Sequence, residues 1–248
     1  MTARPATPPP FRAAILTGAS RGLGAALARA LAARGTRVLL VGRAAPALDA
    51  VVAAIRAAGG DAHAFAADIA DKHRTHAIAA AAEALVGPVD LLVHNASTLG
   101  PLPLRPLFDL ACEDLSDVLE TNLVGPFRLT RVVAGGMALR GRGTVLHISS
   151  DAATNAYPGW GAYGVSKAAQ DHLARSFAAD AEAAGARVRF LSVDPGEMDT
   201  RMHDDAIPGL SDAERAALGH PDTVAQRILA TLDVAAPVAA LPSDAVRA

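Results

Sequence analysis

Short apolar runs alternate along this chain with longer Ala-rich stretches, and the two periods together predict an α/β protein. The runs fall at 13–17 (AAILT), 36–41 (TRVLLV), 62–68 (AHAFAAD), 89–95 (VDLLVHN), 143–149 (GTVLHIS), 187–193 (RVRFLSV) and 238–242 (VAALP), and read as seven strands. Between them, helical spacing predicts helices over 22–34, 45–58, 71–86, 113–139, 162–185 and 221–232. Strands that are apolar nearly throughout are buried on both faces, so the pattern predicts a doubly wound, mostly parallel sheet with helices on both sides. Ligands of such sheets collect at the carboxyl ends of the strands. Residues 1–10 carry four prolines and no periodicity. They predict a disordered lead-in, followed by a single domain over 11–242 and a tail at 243–248.

Composition narrows the class. The 248 residues are 51% hydrophobic and 19% charged, which excludes disorder as the main state and leaves enough chain for one large core. A net charge of −2 and a pI of ≈ 6.4 give no electrostatic reason to expect nucleic acid or an anionic membrane as partner. No run is long and apolar enough to cross a bilayer, and MTARPATPPPFR lacks the apolar stretch of a secretion signal, so the chain reads as cytoplasmic. Cys112 is the only cysteine, which excludes an intrachain disulfide and a Cys-based zinc site. His73 and His76 have metal-ligand spacing but no third ligand near them in sequence, and no metal is expected. Of 23 basic residues only Lys72 and Lys167 are lysine, and Tyr157 and Tyr163 are the only tyrosines. In an Arg-rich chain, each retained Lys or Tyr asks for a reason.

The first strand runs into TGASRGLG, Thr17 to Gly24, and then into a helix. Gly18, Gly22 and Gly24, with Ser20, Arg21 and Leu23 between them, allow a tight turn and close approach of backbone N–H groups to a pyrophosphate at the helix N-terminus. The second strand ends in Gly42 and Arg43, where a sheet that binds NAD usually offers an acid to the ribose 2′-hydroxyl. An acid repels a 2′-phosphate and a guanidinium pairs with it, so Arg43 and Arg21 predict NADPH over NADH.

Tyr163 and Lys167 stand four apart at the start of a helix, on one face and one turn from each other. A phenol is a poor acid or base near neutrality, and a nearby ammonium and a cationic nicotinamide are both expected to favour the phenolate and lower its pKa toward a useful range. Ser149 and Ser150 end the fifth strand, and Ser150 is the hydroxyl chosen to hold a substrate carbonyl oxygen.

TGASRGLG, HNAS at 94–97, Asn122 in TNLVG, the Ser150, Tyr163 and Lys167 set, and DPGEMDT at 194–200 follow one another in an order that resembles the short-chain dehydrogenase/reductase family in its single-domain form. The resemblance spans about residues 12–242. It implies a Rossmann-type sheet in the order 3-2-1-4-5-6-7 and an NADP-dependent oxidoreductase that interconverts carbonyl and alcohol with Tyr163 as proton donor. It implies that Asn122 holds a water linking Lys167 to a proton relay, that Asp68 and Ile69 meet the adenine, and that Asn95, Ala96 and Ser97 border the adenosine ribose. Pro195, Gly196, Met198 and Thr200 are implied to flank the nicotinamide, Met198 through its backbone. Two positions depart from the family pattern: Ser97 stands where a glycine is usual, and Asp194 where an asparagine is frequent.

Substrate contacts are expected from Asp151, Tyr157, Trp160, Glu197, Met202 and His203, with 197–220 as a lid over a small carbonyl or alcohol substrate. PGEMDTRM is similar to the matching stretch of sepiapterin-reductase-like members, which reduce vicinal dicarbonyls. The apolar faces of the helices at 113–139 and near the C-terminus predict a homodimer or homotetramer. A cofactor-binding regulator or scaffold with little turnover, or an epimerase or dehydratase with a tightly held cofactor, would share the fold and remain as alternatives.

Overall fold

Six strands, β1 (Ala13–Thr17), β2 (Arg37–Gly42), β3 (Ala62–Ala66), β4 (Leu91–His94), β5 (Gly143–Ile148) and β6 (Val188–Val193), form one sheet in the order β3-β2-β1-β4-β5-β6. Every adjacent pair is parallel. The computed structural model describes residues 10–233, so the predicted strand at 238–242, the tail and residues 1–9 of the lead-in lie outside the described residues. The order agrees with the expected one through its first six strands.

Successive residues of a strand face opposite sides, and here both sides are apolar. On one side Leu16, Leu40, Val93, Leu146 and Val193 pack against α1 (Gly22–Ala33), α2 (Ala45–Ala57) and α9 (Pro221–Asp233), through residues such as Leu27, Leu31, Val52 and Ile228. On the other, Ile15, Leu39, Leu92, Val145 and Phe190 meet α3 (Thr75–Leu85), α5 (Gly125–Leu139) and α6 (Gly161–Ala183), through Ile78, Leu129, Val133 and Ala178. The buried carboxylate of Asp90 accepts from the N–H groups of Arg12 and Ala13 at 3.0–3.1 Å, pinning the entry of β1 beside β4.

Two helices differ from the sequence reading. The third begins at Thr75 and not at 71, because Asp68 and Asp71 turn back to accept from the N–H groups of Ala70 and His73, each at 2.9 Å. Such side-chain bonds compete with the helix they precede. The predicted helix 113–139 is α4 (Cys112–Leu119), a π-helical turn over Glu120–Val124, and α5. Pro126 has no N–H with which to close the α-helical bond to the Asn122 carbonyl, so the regular ladder is interrupted there. Gly125 lets this turn lie against the loop after β3: a Cβ on it would stand 2.4 Å from the Ile69 carbonyl oxygen.

The segment after β6 folds into two short helices, α7 (Arg201–Ala206) and α8 (Asp212–Ala217). Arg215 joins them to the chain before them, reaching Asp199 and Asp204 at 2.5 Å each. Gly219 returns alongside Met198, bonding Glu197 and Asp199 through backbone at 3.1 and 3.0 Å.

Candidate active site

The carboxyl ends of the strands open into a cleft of ≈ 1820 Å³. Every residue expected to bind cofactor or substrate or to take part in the reaction lines it except Gly24 and Asn122. Gly24 lies beneath the glycine turn, where a Cβ would meet the Gly18 carbonyl oxygen at 2.4 Å, so its role is to let helix and strand touch. Gly18 takes φ +65°, and a side chain there would strike the Ala96 backbone at 2.7 Å. Thr17, not singled out from the sequence, fixes that neighbour: its Oγ1 accepts from the N–H groups of Asn95 and Ala96 at 3.1 Å and donates to Val93 O at 3.2 Å. The Asn95 amide in turn donates to the Thr17 and Gly18 carbonyls at 3.1 and 3.0 Å.

Arg21 stands at the N-cap of α1 with no side-chain cap, so the first N–H groups of that helix face the cleft beside Ser20, Gly22 and Leu23. A helix N-terminus so placed favours an anion. Arg21 and Arg43 are exposed on the cleft wall, and among the described residues neither is paired with a carboxylate. One end of the cleft thus gathers a helix N-terminus and two guanidinium groups.

The other end holds Ser150, Tyr163 and Lys167. Tyr163 is buried among Leu99, Ala152, Leu104, Trp160, Met202 and Ala206. Trp160 meets its ring edge-on at 5.8 Å, and Lys167 Nζ lies 5.5 Å from the ring centre. Ser150 Oγ accepts from Ala152 N–H at 3.2 Å and donates to Asp151 Oδ1 at 3.2 Å. Tyr157 donates to Asp151 Oδ2 at 2.7 Å, which places that carboxylate between the catalytic-end serine and an aromatic wall.

The protein's own groups set the phenol high. Burial pushes Tyr163 up to about 12, with the Asp194 and Asp151 charges adding to the rise and contacts with the Ser150 and Ser97 hydroxyls opposing it. Lys167 is fully buried, which pulls it down to about 8 against the opposing charge of Asp171. Desolvation and the two carboxylates together raise the phenol, which is protonated near neutral pH. Asp171, four residues beyond Lys167, accepts from Ser149 Oγ at 2.8 Å and from Ser192 Oγ, tying α6 to the ends of β5 and β6.

Asn122 does not reach the cleft. Its side chain is taken up by Thr98, accepting from its N–H at 2.8 Å and donating to its carbonyl at 2.9 Å, and by Ser166 Oγ at 2.9 Å. Beneath the site, His94 and His147 stack at 4.8 Å on neighbouring strands, wholly buried. Sequence reasoning passed over this pair, and over Thr17, Gln170 and Asp171, because each acts only through partners distant along the chain.

The fold is a doubly wound parallel sheet with a cleft at the carboxyl ends of its strands. The family profile described as short chain dehydrogenase matches residues 12–210, and the chain belongs to that family. It is 38% identical over 203 residues to a short chain dehydrogenase of Pseudocercospora fijiensis, covering 79% of this chain and 63% of that protein. Among solved structures it resembles a 7α-hydroxysteroid dehydrogenase complexed with NADH and 7-oxoglycochenodeoxycholic acid, with a TM-score of 0.81 at 32% identity over 91% of this chain and 88% of that one. It also resembles an alcohol dehydrogenase from the archaeon Thermococcus sibiricus complexed with 5-hydroxy-NADP, with a TM-score of 0.80 at 27% identity, covering 92% and 93% of the two chains.

Proposed function

We propose that the protein is an NADPH-dependent reductase of a ketone, aldehyde or diketone, and that Ser150, Tyr163 and Lys167 carry the reaction. The reading rests on one observation above others: a buried phenol held in its protonated state beside Ser150, at the end of a cleft whose far end is a bare helix N-terminus flanked by two unpaired arginines.

A bound nicotinamide dinucleotide supplies the hydride to the carbonyl carbon. Tyr163 donates its phenolic proton to the carbonyl oxygen, and Ser150 holds that oxygen by a hydrogen bond. Lys167 presents its ammonium to the cofactor ribose and to the phenolate left behind. Gly18, Ser20, Gly22 and Leu23 bind the pyrophosphate. Asp68 and Ile69 border the adenine, Asn95, Ala96 and Ser97 its ribose, and Pro195, Gly196, Met198 and Thr200 the nicotinamide side. Asn122 supports the loop at Thr98 and does not touch the reacting atoms. Leu99, Trp160 and Met202 form an apolar wall for the substrate, with Asp151, Tyr157, Glu197 and His203 as its polar contacts and 197–220 as the lid. Association of two copies is proposed through the apolar groove of Leu123, Val124, Phe127, Ala169 and Leu173 on the π-helical turn, α5 and α6.

The test is a panel of ketones, aldehydes and diketones followed by NADPH absorbance. Turnover supports the reading; tight NADPH binding with silence across the panel points to a regulator. For the cofactor, Arg43→Ala is expected to raise the KM for NADPH by about tenfold to a hundredfold, the value of a charge-assisted hydrogen bond, with NADH kinetics unchanged. A wild-type protein that prefers NADH overturns the assignment.

A further inference from the structure

We propose that Gln170 is a positioning residue for the reaction, a side-chain amide that joins the Asn122 carbonyl directly to the Lys167 ammonium in the place where a relay water is expected. Gln170 lies three residues beyond Lys167 on the same face of α6 and is wholly buried. Its Nε2 donates to Asn122 O at 3.0 Å, and its Oε1 accepts from Lys167 Nζ at 3.3 Å. The amide orientation is dictated by its neighbours, since a carbonyl only accepts and an ammonium only donates. The acceptor is available because of Pro126, which cannot supply the helical N–H to Asn122 O.

Two consequences follow for Lys167. Its Nζ also donates to Ile148 O at 2.7 Å, so two of three N–H groups point into the fold and one is left for the cleft that Lys167 lines. A neutral amide transmits a hydrogen bond but does not pass a proton along as water does. The link to Asn122 therefore holds the ammonium in place and favours its charged form. The ionisable groups around it are His94 on β4, His147 on β5, and Tyr163 and Asp171 on its own helix, with Asp151 and Asp194 beyond the phenol. None of them changes in the variants below.

This inference rests on the proposed reductase reading, but its test does not need turnover. The chain has only two lysines, so a Lys72→Arg background with isotope-labelled lysine leaves Lys167 as a single NMR signal whose titration is read directly, with and without NADPH. Gln170→Leu and Gln170→Met remove the acceptor at similar volume, and the Lys167 midpoint is expected to fall by about one pH unit in each. Gln170→Glu places a carboxylate on the ammonium, and the midpoint is expected to rise. The kcat of the Leu and Met variants is expected to fall at least about tenfold with the KM for NADPH changed less than threefold, the pattern of a misplaced ammonium in a formed binding cleft. Midpoints that stay put, or that move the same way in Leu, Met and Glu variants, overturn the bridge. If the midpoints move as stated and no carbonyl compound is turned over, the bridge stands and the reductase reading falls.

Discussion

Tyr163→Phe is expected to lower kcat by about 10³-fold, the scale of a lost general acid, while NADPH affinity measured by fluorescence stays within about twofold. The reasoning is local. Phenylalanine keeps the ring against Leu99, Trp160 and Met202, so the wall of the cleft is preserved and only the hydroxyl is lost. That hydroxyl is the proton source in the proposed mechanism: with its pKa raised to about 12 by burial and by the Asp194 and Asp151 charges, it carries its proton at neutral pH. Phe cannot donate, and Ser150, an aliphatic alcohol and a much weaker acid than a phenol, does not replace it. A Phe variant that turns over at the wild-type rate removes Tyr163 from the mechanism.

Acidification to pH 5 is expected to cost about 2 kcal/mol of folding stability through His147 alone, before most carboxylates titrate. Burial holds His147 at about 3 and holds His94 well below its usual value, and the nearby Lys167 charge adds to both effects. In the unfolded chain both rings return to their ordinary value of 6.5. The unfolded state therefore binds more protons below that pH, so the stability present above 6.5 is lost progressively as pH falls toward 3. His94 Nε2 bonds Thr130 Oγ1 at 2.8 Å, whereas neither ring nitrogen of His147 has a hydrogen-bond partner among the described residues. His147→Leu therefore removes a titrating group without orphaning a partner. Urea unfolding at pH 8 is expected to show the variant within about 1.5 kcal/mol of wild type, in line with volume-conserving core changes. Between pH 6.5 and 5 the variant is expected to lose clearly less stability than wild type. Equal losses in the two proteins would show that the histidine pair does not govern this window.

Much of the fold and of the cleft was legible along the chain. Strand runs such as VLLV and LLVH are apolar on both faces, which only a sheet covered on both sides explains, and the structure pairs them in parallel. The glycine turn and the Tyr163 and Lys167 spacing were legible because each is a local pattern imposed by one turn of backbone. The interruption at 120–124 also left a signal: Pro126 four residues after Asn122 forbids the helical bond, although the helical period alone runs through it. Less legible was the start of α3, where the Asp68 and Asp71 side chains capture backbone N–H groups that the Ala-rich pattern assigned to the helix.

The sequence by itself determined the layering, the parallel strand run, the glycine turn before α1 and the one-turn spacing of Tyr163 and Lys167, because all of these follow from periodicity and from residues close in the chain. Only the tertiary structure decided how those groups behave. Burial beneath Leu99 and Trp160 together with two carboxylates raises the Tyr163 phenol, and desolvation is a property of the packed surroundings that no spacing reveals. The same holds for Gln170 on Asn122, Asp171 on Ser149 and Ser192, and His94 on His147. Each joins segments tens of residues apart, and their chemistry exists only once the sheet has brought those segments together.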